Sequence, residues 1–221
     1  MNVFLAVLWK DLLTEWRSRD RAVAMLLFSL LVVVIFHFSL PGGATSRMQA
    51  SAPGLLWVAY VFASILGFNR AFSMELENDA LSGIALMPCD RGWVFLGKAT
   101  ANLAILGVVQ VLIAGVFALV FDLDLIPIAG DLAAVLLLGS LGLCSVGTLF
   151  AAVAVRTRFR EVMLPLLMLP LLIPVLLGSV RATASLLTDG AVDFAPIQLL
   201  IVTDVIYLIV SFIGFDYVLD E

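Results

Sequence analysis

The sequence predicts an all-α polytopic membrane protein, with six transmembrane helices preceded by an amphipathic helix in the membrane interface. Three observations carry that prediction. The first is composition: the 221 residues are 63% hydrophobic and 13% charged, with a mean hydropathy of +1.16. Soluble domains are about half apolar and about a quarter charged, and so few polar side chains cannot cover a water-soluble globule of this size. The second is pattern. Six apolar stretches, 22–40, 53–72, 99–121, 132–155, 162–180 and 197–215, each come near the ~20 residues that cross about 30 Å of hydrocarbon as a helix. The third is the placement of the bases, ten of the twelve falling on one side of such a threading.

The first element, 2–19, differs from the rest. Phe4, Leu5, Leu8, Leu12 and Trp16 recur largely at spacings of three and four, while Lys10, Asp11, Thr14, Glu15 and Arg17 fall mostly elsewhere around the helix. An aromatic-anchored amphipathic helix of this kind lies in the interface plane. The charges at 10, 11, 15, 17, 19, 20 and 21 are too costly for hydrocarbon. They follow the run Val3–Trp9 with no small-residue cleavage site, unlike a secretory signal.

The six spans that follow are rich in Leu, Val, Ala, Ile, Phe and Gly and lack the alternating ten-residue segments of a membrane barrel. Lys10, Arg17, Arg19 and Arg21 precede the first span. Arg70, Arg91 and Lys98 lie between the second and third, and Arg156, Arg158 and Arg160 between the fourth and fifth. Only Arg47 and Arg181 fall on the other side. The positive-inside rule then places both termini in the cytoplasm. The exported loop after the third span carries Asp122, Asp124 and Asp131 without a base.

The longest cytoplasmic loop is 73–98. Its stretch from Ser73 to Gly83 begins with Ser and an early Glu, as a capped short helix does. Gly83 and Pro88 limit how far that helix runs. The chain turns at Pro88-Cys89-Asp90 and re-enters after Lys98, with Trp93 and Lys98 at the interface. Gly92 to Lys98 has the GxxxxGK spacing of a phosphate loop, but Ala99 replaces the magnesium-binding hydroxyl and bulky side chains fill the middle, so no nucleotide site is expected.

Within the spans four features stand out. Pro165, Pro170 and Pro174 in the fifth span should kink or break it, as a static bend or as a gate at a moving interface. Ser140, Cys144, Thr148 and Ala152 form a small-residue stripe for close helix packing, within the chain or against a second copy. Asp204, inside the sixth span, is either a functional intramembrane acid or a residue near the headgroups that hydrogen-bonds Thr203 or a neighbouring helix. His37, the sole histidine, could ligate haem or a metal, or form interfacial hydrogen bonds. Cys89 and Cys144 form no CxxC or CxxCH, and no HExxH, GxSxG or GxGxxG occurs, so neither a metal site nor a catalytic residue is expected. The net charge of -5 argues against a nucleic-acid partner.

Two function classes fit such a chain: the membrane subunit of a complex driven by a separate ATPase, or a self-contained channel or secondary transporter. The latter calls for more midplane polar residues and an internal repeat.

The elbow helix, six spans, cytoplasmic termini and a short helix after the second span resemble the ABC-2 type permeases. Three segments resemble, more specifically, the haem exporter protein B (CcmB) family. These are Ala52-Pro53-Gly54-Leu55-Leu56-Trp57-Val58-Ala59; the loop residues Arg70, Phe72, Glu75, Leu76, Leu81, Leu86, Pro88 and Lys98; and Leu169-Pro170-Leu171-Leu172-Ile173-Pro174. The resemblance implies a bacterial inner-membrane subunit of cytochrome c maturation, linked to haem export or to release of haem-loaded chaperone. It implies an ABC ATPase partner that binds ATP, a homodimer within the complex, a haem-handling membrane subunit, a small accessory membrane peptide and a haem chaperone. Haem belongs to the complex, and no haem ligand is assigned here. On this reading Glu75, Leu76, Glu77, Asp79 and Leu81 form the coupling helix that docks on the ATPase.

Overall fold

The computed structural model describes residues 3–39, 45–77, 90–155, 157 and 159–218. Among them are seven helices: α1 (Val3–Ser18), α2 (Asp20–Ser39), α3 (Thr45–Glu77), α4 (Arg91–Phe121), α5 (Ala129–Ala154), α6 (Arg160–Asp189) and α7 (Phe194–Val218). α2 to α7 each contain a stretch long and apolar enough to cross a membrane. The chain is a polytopic all-α membrane protein.

Several helices overrun the apolar stretches that announce them. α3 begins at Thr45, runs through Pro53 and continues to Glu77. Ser73 therefore sits inside this helix rather than capping a new one, and its hydroxyl donates to the Asn69 carbonyl one turn back. α4 starts at Arg91 rather than after Lys98. Its N-cap is Asp90, whose carboxylate accepts from the Gly92 N–H at 2.9 Å, satisfying a donor left open at a helix start. At its other end Asp122 takes the left-handed conformation (φ 52°). The N–H groups of Asp122 and Leu123 both bond the Ala118 carbonyl, and Asp124 Oδ1 accepts from Ile126 N–H, which turns the chain within seven residues into α5.

Side-chain contacts fix the alternation of the spans. Met25 meets Gly67, and the Phe28 and Phe62 rings lie 5.9 Å apart, so α3 runs against α2. Tyr60 bonds Gln110 while Lys98 stands over Phe72, so α4 runs against α3. Gln110 meets Ser140 and Asn102 meets Thr148, reversing α5. The bonds of Tyr207 to Leu171 and the contact of Gly178 with Leu200 reverse α7 against α6. Both termini thus lie at one end of the bundle, the terminal end; the turn at 122–128 lies at the far end.

α5 is the axle, packed on α3, α4, α6 and α7. Lipid offers apolar side chains no net gain over burial, so close backbone approach through small residues specifies such packing. On α5 a Cβ at Gly139 would strike Trp57, one at Gly142 would strike Asp204 and Val175, and one at Gly147 would strike Phe68, at 2.2, 2.6 and 2.1 Å for the nearest atoms. Trp57, Tyr60, Leu106, Phe117, Leu143 and Leu172 fill the interior.

Candidate functional site

The buried polar groups stand at three levels, and the first is a charged clasp at the terminal end. α1 and α2 meet at Arg19, whose left-handed backbone (φ 56°) makes the bend at a cost of about 1–2 kcal/mol. Glu15 holds that bend together. Its Oε1 accepts from the Ala22 N–H at 2.9 Å, capping α2, and its Oε2 accepts from Arg21 Nε at 2.9 Å. Arg21, 6% exposed, also donates through Nη1 to Asn102 Oδ1 at 2.8 Å, and Asn102 Nδ2 donates to Thr148 Oγ1 at 2.9 Å. Four helices are joined in one chain of bonds.

Lys98 completes the clasp. Only 4% exposed, its ammonium lies 3.6 Å from Asp11 Oδ2 and 5.2 Å from the centre of the Phe72 ring, an ion pair supplemented by a cation–π contact. Lys98, expected at the membrane interface, is buried within the fold because α1 brings its counter-charge to it. α1 can lie so close because position 97 is glycine, where a Cβ would come within 3.0 Å of the Phe4 carbonyl and the Val7 side chain. Gly92 likewise makes room for Phe212 of α7. A cavity of about 190 Å³ opens beside the clasp, lined by Asp11, Glu15, Arg21, Phe72, Lys98 and Asn102 among others.

This geometry gives the amphipathic helix an unexpected orientation. Its acids face the protein, where two buried bases need them. Its outer face shows Leu5, Trp9, Leu13 and Trp16, with the two tryptophans 69% and 73% exposed. Aromatic rings of this kind favour the headgroup level of a bilayer, and Arg19 stacks over the Trp16 ring at 5.5 Å.

The second level is a polar seam in the far half of the bundle. Ser140 Oγ donates to Gln110 Oε1 at 2.7 Å, and Tyr60 donates to the Gln110 carbonyl at 3.0 Å. Beside them Trp57 Nε1 donates to Thr183 Oγ1 at 3.0 Å, and Thr183 donates on to the Ser179 carbonyl at 2.8 Å. The Trp57 and Tyr60 rings meet edge-on at 5.6 Å, joining the two sets. The third level is Asp204 on α7, 2% exposed, with neither carboxyl oxygen hydrogen-bonded. It stands ten residues into a 25-residue helix. Thr203 does not serve it, because that hydroxyl donates to the Leu199 carbonyl.

The other residues singled out by sequence are placed as follows. Ser140, Cys144, Thr148 and Ala152 are all buried, and Ser140 and Thr148 face Gln110 and Asn102 of α4. Pro165, Pro170 and Pro174 lie inside α6, which runs unbroken from Arg160 to Asp189. The Leu171 carbonyl, next to Pro170, accepts a hydrogen bond from Tyr207 of α7, which ties α6 to a neighbouring helix beside its prolines. His37 is exposed near the far end of α2, its ring edge-on to Phe38 and Phe121 at 5.4 and 6.1 Å. Glu75 to Glu77 are the last residues of α3, while their side chains, with Asp79 and Leu81, lie outside the described residues.

Composition and periodicity did not reveal Glu15, Arg21, Lys98, Asn102 or Gln110. The signal for the last two was available: Asn102 and Gln110 are eight apart, as are Thr148 and Ser140, and two antiparallel helices with matching polar intervals make two rungs. No group of three or more His, Cys, Asp or Glu able to hold a metal occurs among the described residues.

Comparison with known proteins finds relatives that align with most of the chain. Heme exporter protein B of Paracoccus denitrificans is 34% identical to the chain over 179 residues, 80% of each protein. That of Pseudomonas aeruginosa is 32% identical over 84% of this chain and 82% of its own. That of Bradyrhizobium diazoefficiens is 28% identical over 96% of this chain and 94% of its own. The sequence model of the CcmB protein family covers residues 2–217, from the α1 that supplies the clasp's carboxylates through the α7 that carries Asp204, and the chain therefore belongs to the CcmB family.

Proposed function

We propose that this chain is the membrane subunit of a bacterial inner-membrane complex for cytochrome c maturation. There it serves haem export or the release of haem-loaded chaperone, with the energy coming from a separate ABC-type ATPase. The observation that carries the reading is the family match over residues 2–217, together with relatives named heme exporter protein B. The terminal end of the bundle faces the cytoplasm, as the bases before α2, between α3 and α4 and between α5 and α6 require.

The mechanical parts follow from the bundle. The segment after α3, with Glu75, Leu76, Glu77, Asp79 and Leu81, docks on the ATPase as a coupling helix. α3 is continuous from Thr45 to Glu77, so a push on its cytoplasmic end is delivered along the helix to Trp57 and Tyr60. Those side chains touch α6 and α4 through Thr183 and Gln110. α6, with Pro165, Pro170 and Pro174, is the element that gives. The interior of one copy is closed by large side chains, which supports placing any route for cargo between two copies or against the haem-handling membrane subunit and its small accessory peptide.

The experiment is purification of the tagged chain from membranes holding its neighbouring subunits, followed by ATPase assay and haem absorption spectra. An ATPase that co-purifies, with hydrolysis lost when its own active site is disabled, supports the reading. Haem movement in vesicles holding this chain alone would replace it with a self-contained transporter.

A further inference from the structure

α7 carries an acid where a lipid-embedded bundle has least use for one. Asp204 is 2% exposed, both its oxygens lack a partner, and the hydroxyls nearest in sequence are spent on backbone carbonyls, Thr203 on Leu199 and Tyr207 on Leu171. From α5 it meets Gly142, where a Cβ would stand 2.6 Å from Oδ1 and 2.8 Å from Val175 of α6. The carboxyl thus lies in a seam of α5, α6 and α7 that glycine holds open for it. The ionisable groups on these elements are few. α6 has none between Glu161 and Arg181. α5 has Asp131 at its far end and Cys144, and α7 has Tyr207 one turn on and Asp216 and Tyr217 at its last turns. α4, which also packs on α7, carries Arg91 and Lys98 in its first turns, but Arg91 donates to the Asp216 carbonyl and Lys98 stands beside Asp11, so among the described residues no cation pairs the acid.

An unpaired carboxylate in such surroundings is far more costly than a neutral carboxylic acid. A metal ion would need several further oxygen ligands, which Gly142 and Val175 do not supply, whereas a proton needs none. We propose that Asp204 is a proton-binding site in the transmembrane core, its carboxyl neutral while the α5–α6–α7 seam is closed and free to ionise when that seam opens. The link to opening is short. Tyr207, one turn from Asp204, is bonded to Leu171 beside Pro170 and Pro174, so bending of α6 at its prolines changes what surrounds the acid.

Two measurements on the full chain in lipid nanodiscs test this, and both must succeed. The first is labelling with dicyclohexylcarbodiimide, an apolar reagent that takes protonated carboxyls. The carboxyl proton passes to a carbodiimide nitrogen, the oxygen bonds the central carbon, and the adduct rearranges to an N-acylurea without a leaving group. Peptide mass spectrometry should find one whole reagent on Asp204 in the wild type and none at that position in Asp204→Asn. The second is thermal unfolding between about pH 5 and pH 8, comparing wild type with Asp204→Asn. The folded state keeps the proton and the unfolded state releases it, so rising pH should lower the wild-type folding constant relative to the variant by up to about tenfold per unit. An unmodified Asp204 in the wild type overturns the proposal, and so does a stability difference that does not change with pH.

Discussion

Replacing Glu15 by Ala tests whether α1 is a passive interfacial anchor or part of the packed bundle. Its partner Arg21 is held 2.9 Å away, and the two side chains are 7% and 12% exposed. An exposed ion pair is worth about 0–1 kcal/mol, whereas removing one partner of a buried pair costs about 3–5 kcal/mol because the other charge is stranded. The cavity beside the clasp admits solvent, which favours the lower end, so Glu15→Ala should cost about 3 kcal/mol. Loss of the α2 cap on the Ala22 N–H adds about 1 kcal/mol. Arg21→Met should also destabilise, because it strands Glu15 and leaves Asn102 Oδ1 without its donor. Restoring neutrality in Glu15→Ala with Arg21→Met should recover a good part of the loss, with a coupling energy of about 2 kcal/mol, above the about 0.5 kcal/mol within which independent sites add. The assay is unfolding of the purified chain in mixed micelles across the four-member cycle. Additive losses, or singles each below about 1 kcal/mol, would mean that the pair behaves as a surface pair and that α1 does not clamp the bundle.

Further outcomes follow from other sites. Gly147→Val should destabilise by about 1–3 kcal/mol by overpacking against Phe68. Gly115→Ala, where a Cβ meets nothing within 4 Å, should be neutral in the same unfolding assay. Ser140→Ala should cost about 0.6 kcal/mol, the average for a hydrogen bond between membrane helices, and a loss above about 2 kcal/mol would show that Gln110 has no alternative partner. Glu75→Ala with Glu77→Ala should reduce co-purification of the ATPase while the protein still inserts, and undiminished recovery would remove the coupling assignment. His37→Ala should leave the haem content of the purified complex unchanged, because the ring is exposed and, among the described residues, engaged with Phe38 and Phe121, and a clear loss of haem would make it a ligand.

The apolar runs carried the architecture because a span needs only length and the absence of charge, both visible in one dimension. Helix ends were less legible. Ser73 to Gly83 reads as a separate capped helix, yet α3 simply continues past the apolar stretch to Glu77, its Ser73 hydroxyl bonding back to Asn69. Lys98 read as part of a membrane-entry segment at the interface, with no sign that it would be buried. Its counter-charge, Asp11, is 87 positions away in sequence, and only the fold brings the two to 3.6 Å. The polar face of α1 was legible as a face, but which way it turns was not. A hydrophobic stripe beside a membrane points toward protein or toward lipid equally well, and the decision rests with the buried bases on α2 and α4.

That decision has a consequence for how the bundle is specified. Among soluble proteins an amphipathic helix docks by its apolar side, because water drives it there. Here Val7 packs on the core with Val3 and Leu12 beside it, while lipid accepts Trp9, Leu13 and Trp16 as readily as a core would, so apolar burial alone gives the helix little reason to choose this face. What chooses is charge. Arg21 and Lys98 are both buried at the terminal end, and each is stabilised there by a carboxylate delivered from α1. Asn102 then passes the Arg21 contact to Thr148, and two turns farther along α4 Gln110 repeats the arrangement with Ser140. Hydrogen bonds and glycine contacts do the sorting that hydrophobic burial does in water. The same logic isolates Asp204. Each buried cation noted here has a carboxylate partner, whereas the Asp204 carboxyl faces glycine and valine. In a bundle ordered by polar complementarity, an ionisable group left without a complement has the most to gain from a change of state.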